Sequence, residues 1–329
     1  MESPQVTIIV VPQERFSYTE LALESLYEHT CIPFSLVYVD GNSPSRIQSY
    51  LEAQSQLKGF TLVRRDRYLT PNQARNIGLS YAKTKYVVFV DNDLVFTPNW
   101  LEKLINCAEE TEATVVCPLI CNGESSPQKV HFAGGEAHII VETKGDEIIR
   151  KVYEEHYFVD NSLVEVQDWL QRRQSELAKF HCMLVRQDIF EEIGCLDEQL
   201  LNTKEHIDFC LSLTQAGGTI YCEPSSIVTH VTGKIDWSDL PFFYLRWNDD
   251  WESSTLQHFN RKWNLTDREQ NLQPDESMIN WRYQTLFRPL FGVLSLGQTN
   301  TWLANSLKTI ERSLNSYWIR RYKNNSIGF

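Results

Sequence analysis

An α/β fold built on a mostly parallel sheet flanked by helices is predicted by three observations. Short, unbroken apolar runs recur along the chain, among them Val6 to Val11, Phe34 to Val39 and Tyr86 to Val90. Such runs suit strands buried on both faces. Helical patterns alternate with them, the rhythm of βαβ units. Two of the runs stop abruptly, at Asp40-Gly41-Asn42-Ser43 and at Asp91-Asn92-Asp93. Polar groups then stand at the carboxyl ends of strands, where open α/β sheets bind their ligands.

Each element has its own signal. Val6 to Val11 is the first strand, closed by Pro12. Ser17-Tyr18-Thr19-Glu20 has capping-box spacing and opens a helix to about His29. Phe34 to Val39 follows as a strand, then a helix from Pro44 to about Leu57, then a strand from Phe60 to Arg64. Thr70 caps the next helix, with Pro71 at its first position and Gln73 completing a capping box. Ala74, Ile77, Gly78, Tyr81 and Ala82 form its buried stripe. After the Tyr86 strand, Thr97-Pro98 starts a helix and Ala113 to Cys117 is a strand. Between 122 and 180 the pattern weakens to a turn at Gly134-Gly135 and a polar hairpin around Lys144-Gly145-Asp146. Met183 to Val185 is apolar again, Asp188 to Ile193 is a short helix stopped by Gly194, and Lys204 to Ala216 is a helix stopped by Gly217. Thr219 to Tyr221 and Ile227 to Thr229 read as two short strands. Beyond Gly233 aromatics crowd Trp237 to Trp251 and strands cease, so a domain boundary is expected near Asp236, dividing 1–235 from a helical region, 236–329.

Composition narrows the function classes. A net charge of -12 excludes nucleic-acid binding by bulk electrostatics. The start, MESPQVTIIVVP, lacks a basic region before its apolar run, and no stretch has the length of a membrane-spanning helix. The eight cysteines are scattered without a C-x-x-C, and Cys182, Cys195 and Cys210 sit in apolar runs, so buried thiols in a reducing, cytoplasmic compartment are expected. From Asn271 to the end, seven Lys/Arg stand against three Asp/Glu, giving a tail of about +4 and a remainder of about -16. Trp281, Leu286, Phe287, Leu290 and Phe291, interleaved with Arg282 and Arg288, fit peripheral contact with an anionic membrane face. A helix packed on the main domain, or a homodimer contact, fits equally.

Asp91 and Asp93 would repel each other unless a cation lies between them. Mg²⁺ or Mn²⁺ holding a diphosphate fits, because such ions take one or two carboxylates plus phosphate oxygens. Arg75 adds a fixed cation in the first turns of a helix, where free N–H groups already favour anions. Asn72, three residues earlier, shares its face. A surface ion pair with Asp66 is the plain alternative for Arg75, as a turn is for Asp40.

These pieces, in this order, resemble the GT-A nucleotide-sugar glycosyltransferases, in particular the inverting family 2. The motifs are VTIIVVPQERF, Val39-Asp40-Gly41-Asn42-Ser43, Asn72-x-Ala74-Arg75-Asn76-x-Gly78, DND, CMLVRQDIFEEIGCLDE and Lys204-Glu205-His206-Ile207-Asp208-Phe209. The resemblance covers residues 4 to 235 or so. It implies a catalytic domain of GT-A type that moves a sugar from a nucleotide diphosphate sugar, UDP-linked by expectation, to a hydroxyl on a glycan, lipid-linked or small-molecule acceptor. It implies donor contacts at Pro12, Glu14, Asp40, Asn72, Arg75, Asn76, Asp91, Asn92 and Asp93, and metal ligation by Asp91, Asp93 and His230. Pro12-Gln13-Glu14-Arg15 departs from the family's usual first loop. The general base falls among Asp208, His206 and Glu205, where the family usually reads Glu-Asp and this chain has His206; Asp208 is favoured. His131 and His138 flank Phe132-Ala133-Gly134-Gly135, similar to an acceptor-side loop. An inactive sugar-nucleotide binding module and a nucleotidyltransferase are the competing readings. The second is disfavoured by the lack of a Gly-rich basic loop after the first strand, and a dehydrogenase by the lack of G-x-G-x-x-G.

Overall fold

The computed structural model describes residues 4–13, 15–124, 128–233, 235–266, 282, 285–286 and 301–326. Its strands are β1 (Val6–Val11), β2 (Ser35–Gly41), β3 (Thr61–Arg65), β4 (Tyr86–Asp91), β5 (Leu94–Phe96), β6 (Val115–Gly123), β7 (Lys129–Phe132), β8 (Gly135–Lys144), β9 (Glu147–His156), β10 (Arg173–Ser175), β11 (Cys182–Arg186) and β12 (Ile220–Val231). The main sheet runs β10-β12-β6-β11-β4-β1-β2-β3, with β5 beside β12 and β7 beside β6. Its β4-β1-β2-β3 half is parallel, whereas β11 runs antiparallel between β4 and β6. The fold is therefore a mixed α/β sheet. β1 and β4, buried along their whole length, form its spine.

Helices α1 (Thr19–His29), α2 (Ser45–Lys58), α3 (Pro71–Leu79) and α4 (Trp100–Thr111) connect the first strands. They are followed by α5 (Leu163–Val166), α6 (Ile189–Ile193), α7 (Glu205–Gln215), α8 (Leu240–Arg246), α9 (Asp249–Lys262) and α10 (Thr301–Ser326). The capping box of α3 forms as expected: Gln73 N–H donates to Thr70 Oγ1 at 3.4 Å and Thr70 N–H to Gln73 Oε1 at 3.2 Å. Gly78 packs α3 against β1. A methyl placed there would lie 2.2 Å from Ile9 Cγ2, on a stiff β-branched side chain. Gly78→Ala is thus expected to lower unfolding free energy by about 1–3 kcal/mol, through overpacking. A drop in the denaturation midpoint without a change in slope checks it.

Several local expectations are corrected. The Ser17 capping box does not form. Ser17 N–H and Oγ instead donate to the Asp239 carboxylate at 3.1 and 2.6 Å, a stronger acceptor delivered from far along the chain. Helix α3 stops at Leu79, leaving Tyr81 48% exposed rather than on a buried stripe. Cys195 is exposed, because its segment is a loop; all eight thiols are free. The two strands expected at 219–229 are one long strand, β12, whose register slips between Glu223 and Ile227, around Pro224. The 139–153 hairpin is present and extends to Gly135–His156.

The helices beyond Asp236 pack on the sheet rather than away from it. Phe242 on α8 lies against Phe16 and Tyr68, with ring centroids 5.2 Å apart in each case. Phe242, Phe243, Tyr244 and Trp251 are buried, as core aromatics, whereas Trp237 is 86% exposed. Of the tail, Trp281, Phe287, Arg288, Leu290 and Phe291 lie outside the described residues. Arg282 does not face a membrane: it is buried, donating to Glu311, Asp249 and the Trp247 carbonyl at 2.6–2.8 Å. No described helix is long and apolar enough to cross a membrane.

Candidate active site

The strand order reverses at β1, which pairs with β2 on one side and β4 on the other. A crevice forms beyond the carboxyl ends of strands at such a switch point. Val11, last in β1, registers with Asp91, last in β4. The chain then turns at Asn92-Asp93 into β5, which pairs antiparallel with β12 so that Leu94 stands opposite His230. That pairing brings His230 Nε2 to 3.4 Å from Asp93 Oδ2. His230 Nδ1 lies 3.3 Å from Asn122 Oδ1, an amide oxygen that only accepts, so Nδ1 carries hydrogen and Nε2 faces the aspartate.

Asp91 and Asp93 are 1% and 0% exposed, yet none of their four carboxylate oxygens receives a hydrogen bond. Burying carboxylates without donors is costly. Burial, opposed by Arg75 and reinforced by Asp93, pushes the Asp91 carboxyl up to about 7. At Asp93 burial is outweighed by His230 and Arg15, which hold its carboxyl below the usual range. A divalent cation fits this donor set of hard oxygens and one imidazole nitrogen.

Asp91 opens onto a cavity of ≈ 360 Å³ whose lining includes Gln13, Arg75, Lys179, His181, Glu205, His206, Arg246 and Trp247. Arg75 is buried over the Phe180 ring, 4.0 Å from its centroid, and reaches Asp91 at 3.6 Å and Glu205 at 3.9 Å. It is no surface ion pair with Asp66, which pairs with Arg64 instead. Arg246 donates to Glu205 Oε1 at 3.2 Å and to Gln13 Oε1 at 3.4 Å. Burial alone would raise the Glu205 carboxyl, but Arg246 and Arg75 override it and hold it below the ordinary range. Burial holds the His206 imidazole below its usual value, against the pull of Glu154. His206 is therefore neutral at physiological pH.

Other expected site residues have different surroundings. Asp208 is not part of the cavity lining: Lys262 Nζ and Trp263 Nε1 donate to its carboxylate at 2.8 Å each, so α9 occupies it. Asn92 points back under the turn, accepting from Gln13 N–H at 2.9 Å and donating to the Arg15 carbonyl and Thr19 Oγ1. Asn76 is spent on the 196–198 loop, with bonds of 2.9 Å to Leu196 N–H, the Leu196 carbonyl and Glu198. Asn72 accepts from Arg75 at 3.2 Å and donates to the Asp197 carbonyl, orienting the arginine rather than lining the cavity. Asp40 is closed by Arg64 and by Ser43 N–H and Oγ, the turn reading. Pro12 is buried and outside the lining, and Glu14 lies outside the described residues. His131 is an interior residue beside His181 and His230, its imidazole pushed down to about 2 by burial, whereas His138 pairs with Glu176 on the hairpin.

Lys179, His181 and Arg246 line the cavity and were not singled out by the sequence alone. A signal existed for each. Lys179-Phe180-His181 precedes the apolar β11, whose neighbour is β4, so its polar residues start where β4 ends; the His181 carbonyl accepts from Asp91 N–H at 2.9 Å. Arg246 is the lone cation in an aromatic helix, and a cation buried there needs a carboxylate partner.

The family model "Glycosyl transferase family 2" matches residues 7–162, just under half of the chain. Polypeptide N-acetylgalactosaminyltransferase 12 of Mus musculus is 26% identical over 181 residues, covering 55% of this chain and 31% of that protein. Pre-mycofactocin glycosyltransferase of Mycobacterium tuberculosis is 24% identical over 176 residues, 53% of this chain and 33% of that protein. The chain thus spans about a third of the length of these curated relatives. A crystal structure of GalNAc-T7 with UDP, GalNAc and Mn²⁺ superposes with a TM-score of 0.53 at 17% identity, covering 89% of this chain and 57% of that one, a likeness of fold.

Proposed function

We propose that the chain, whose fold and sequence resemble GT-A, family 2 glycosyltransferases, transfers a sugar from a UDP-sugar, with a divalent cation, to a hydroxyl of a glycan or lipid-linked glycan with inversion at the anomeric carbon. One observation supports this reading: four buried carboxylate oxygens that accept no hydrogen bond, those of Asp91 at the wall of a cavity that also holds Arg75 and those of Asp93 behind it beside His230. Asp91, Asp93 and His230 would hold Mn²⁺ or Mg²⁺, which supplies Lewis-acid neutralisation of the diphosphate leaving group. Arg75 and Arg246, locked by Asp91, Glu205 and Gln13, add fixed positive charge where the leaving group's negative charge develops. Glu205, clamped between two arginines, is a poor proton acceptor and serves to hold them. His206 takes the base's role. Neutral and in the cavity, it accepts the acceptor hydroxyl's proton as the oxygen attacks the anomeric carbon and the bond to the diphosphate breaks. The UDP, GalNAc and Mn²⁺ of the structural neighbour support the choice of donor class and ion.

Calorimetry of UDP with the full chain, with and without Mn²⁺, tests the reading. Binding that needs the ion is expected, with UDP release from UDP-sugars over an acceptor panel and an inverted anomeric proton in the product NMR spectrum. Metal-independent binding overturns the cation site. Binding without turnover on any acceptor favours the inactive-module reading.

A further inference from the structure

We infer that Glu154, on β9, is the positioning residue for His206, so that the base of this enzyme is a carboxylate–imidazole pair drawn from two elements; this rests on His206 being the base. Glu154 and His156 lie two apart on β9 and share a face of the hairpin. Glu154 Oε1 is 2.9 Å from His156 Nε2 and 3.7 Å from His206 Nε2, and Oε2 is 3.4 Å from Lys204 Nζ. His206 Nε2 is itself a buried atom with no hydrogen bond. A small side-chain rotation closes the 3.7 Å gap, and base–orienter contacts are often long before substrate binds.

The surroundings explain what the pair is for. His206 becomes an imidazolium when it accepts a proton, in a cavity that also holds Lys179, Lys204, Arg75 and Arg246. Of the nearby carboxylates, Glu205 is committed to the arginines. Glu154 is not, and its histidine and lysine neighbours outweigh burial and keep it ionised. With Nε2–H turned to Glu154, Nδ1 carries the lone pair that receives the proton. His156, donating to the same carboxylate, holds it in place. The family-like place for a carboxylate base has thus become an imidazole, with the carboxylate moved one contact away.

Kinetics of Glu154→Gln in the full chain test this. We expect kcat to fall on the order of 10²-fold, with UDP and Mn²⁺ affinity unchanged. The acidic limb of the kcat/KM profile should move to lower pH, because the charge that raises the His206 pKa is gone. In a His206→Asp background the same Glu154→Gln change should cost nothing, since a carboxylate base needs no carboxylate partner. Glu154→Asp should restore the acidic limb, and does so even if the glutamine variant folds poorly. Equal losses in both backgrounds, or an unmoved pH profile, overturn the inference and leave Glu154 a structural residue. Full turnover by His206→Ala would instead overturn the base assignment, a separate failure.

Discussion

Asp93→Asn is expected to lower sugar transfer on the order of 10³-fold, about 4 kcal/mol of transition-state stabilisation, and to abolish the Mn²⁺ dependence of UDP binding. The change is nearly isosteric, so the fold persists and circular dichroism should not move. What it removes is charge at a place where charge has no other outlet. Asp93 is fully buried, its two oxygens accept no hydrogen bond, and its neighbours are His230 at 3.4 Å and Arg15 at 4.0 Å. An amide there would ligate a bound cation only weakly and would not neutralise it. Calorimetric titration of Mn²⁺ in the presence of UDP reads this directly. Unchanged affinity would mean that the aspartates serve the fold alone.

His206→Ala has the second large expected effect, a fall in kcat of about 10²- to 10⁴-fold, the usual range for a positioned general base. UDP binding should survive, since His206 stands on a separate element, α7, from the aspartate turn. The wild-type rate should fall on acidification as the imidazole protonates. That limb lies below the ordinary histidine value, because burial lowers the His206 pKa. Replacing His206 by Asp should recover part of the rate and move the limb down into the carboxylate range.

The first part of the chain was legible because its elements are local. A parallel strand buried on both faces announces itself as an apolar run, and β1 coincides with its expected span. Thr70, Pro71 and Gln73 specify the start of α3 by contacts within one turn. Asp91 and Arg75 could be read from the end of one strand and the first turns of one helix, and they line one cavity with Glu205 and His206, while Asp93 sits beside His230 and Arg15. Asp208 misled because its acid was read from local position at a helix start, while its partners, Lys262 and Trp263, come from more than fifty residues away. Asn76 and Asn92 misled in the same way, since an amide can hold a loop as readily as a ligand. Lys179 reaches the cavity through antiparallel insertion of β11 beside β4, Arg246 through α8 packing back toward Gln13 and Glu205, and the Glu154–His206 contact through a hairpin near α7; their polar residues are visible locally, but these long-range pairings are not.

The seam expected near Asp236 runs through the cavity wall. Arg246 on α8 ties Gln13, after the first strand, to Glu205 on α7, while Asp239 anchors the Phe16–Tyr18 turn. A protein trimmed to the sheet-bearing portion would therefore arrive with one side of its cavity missing, an acid and a glutamine facing water, and an oily strip at Phe16 and Tyr68 laid bare. Anyone borrowing this catalytic scaffold for engineering must carry the helices along with it.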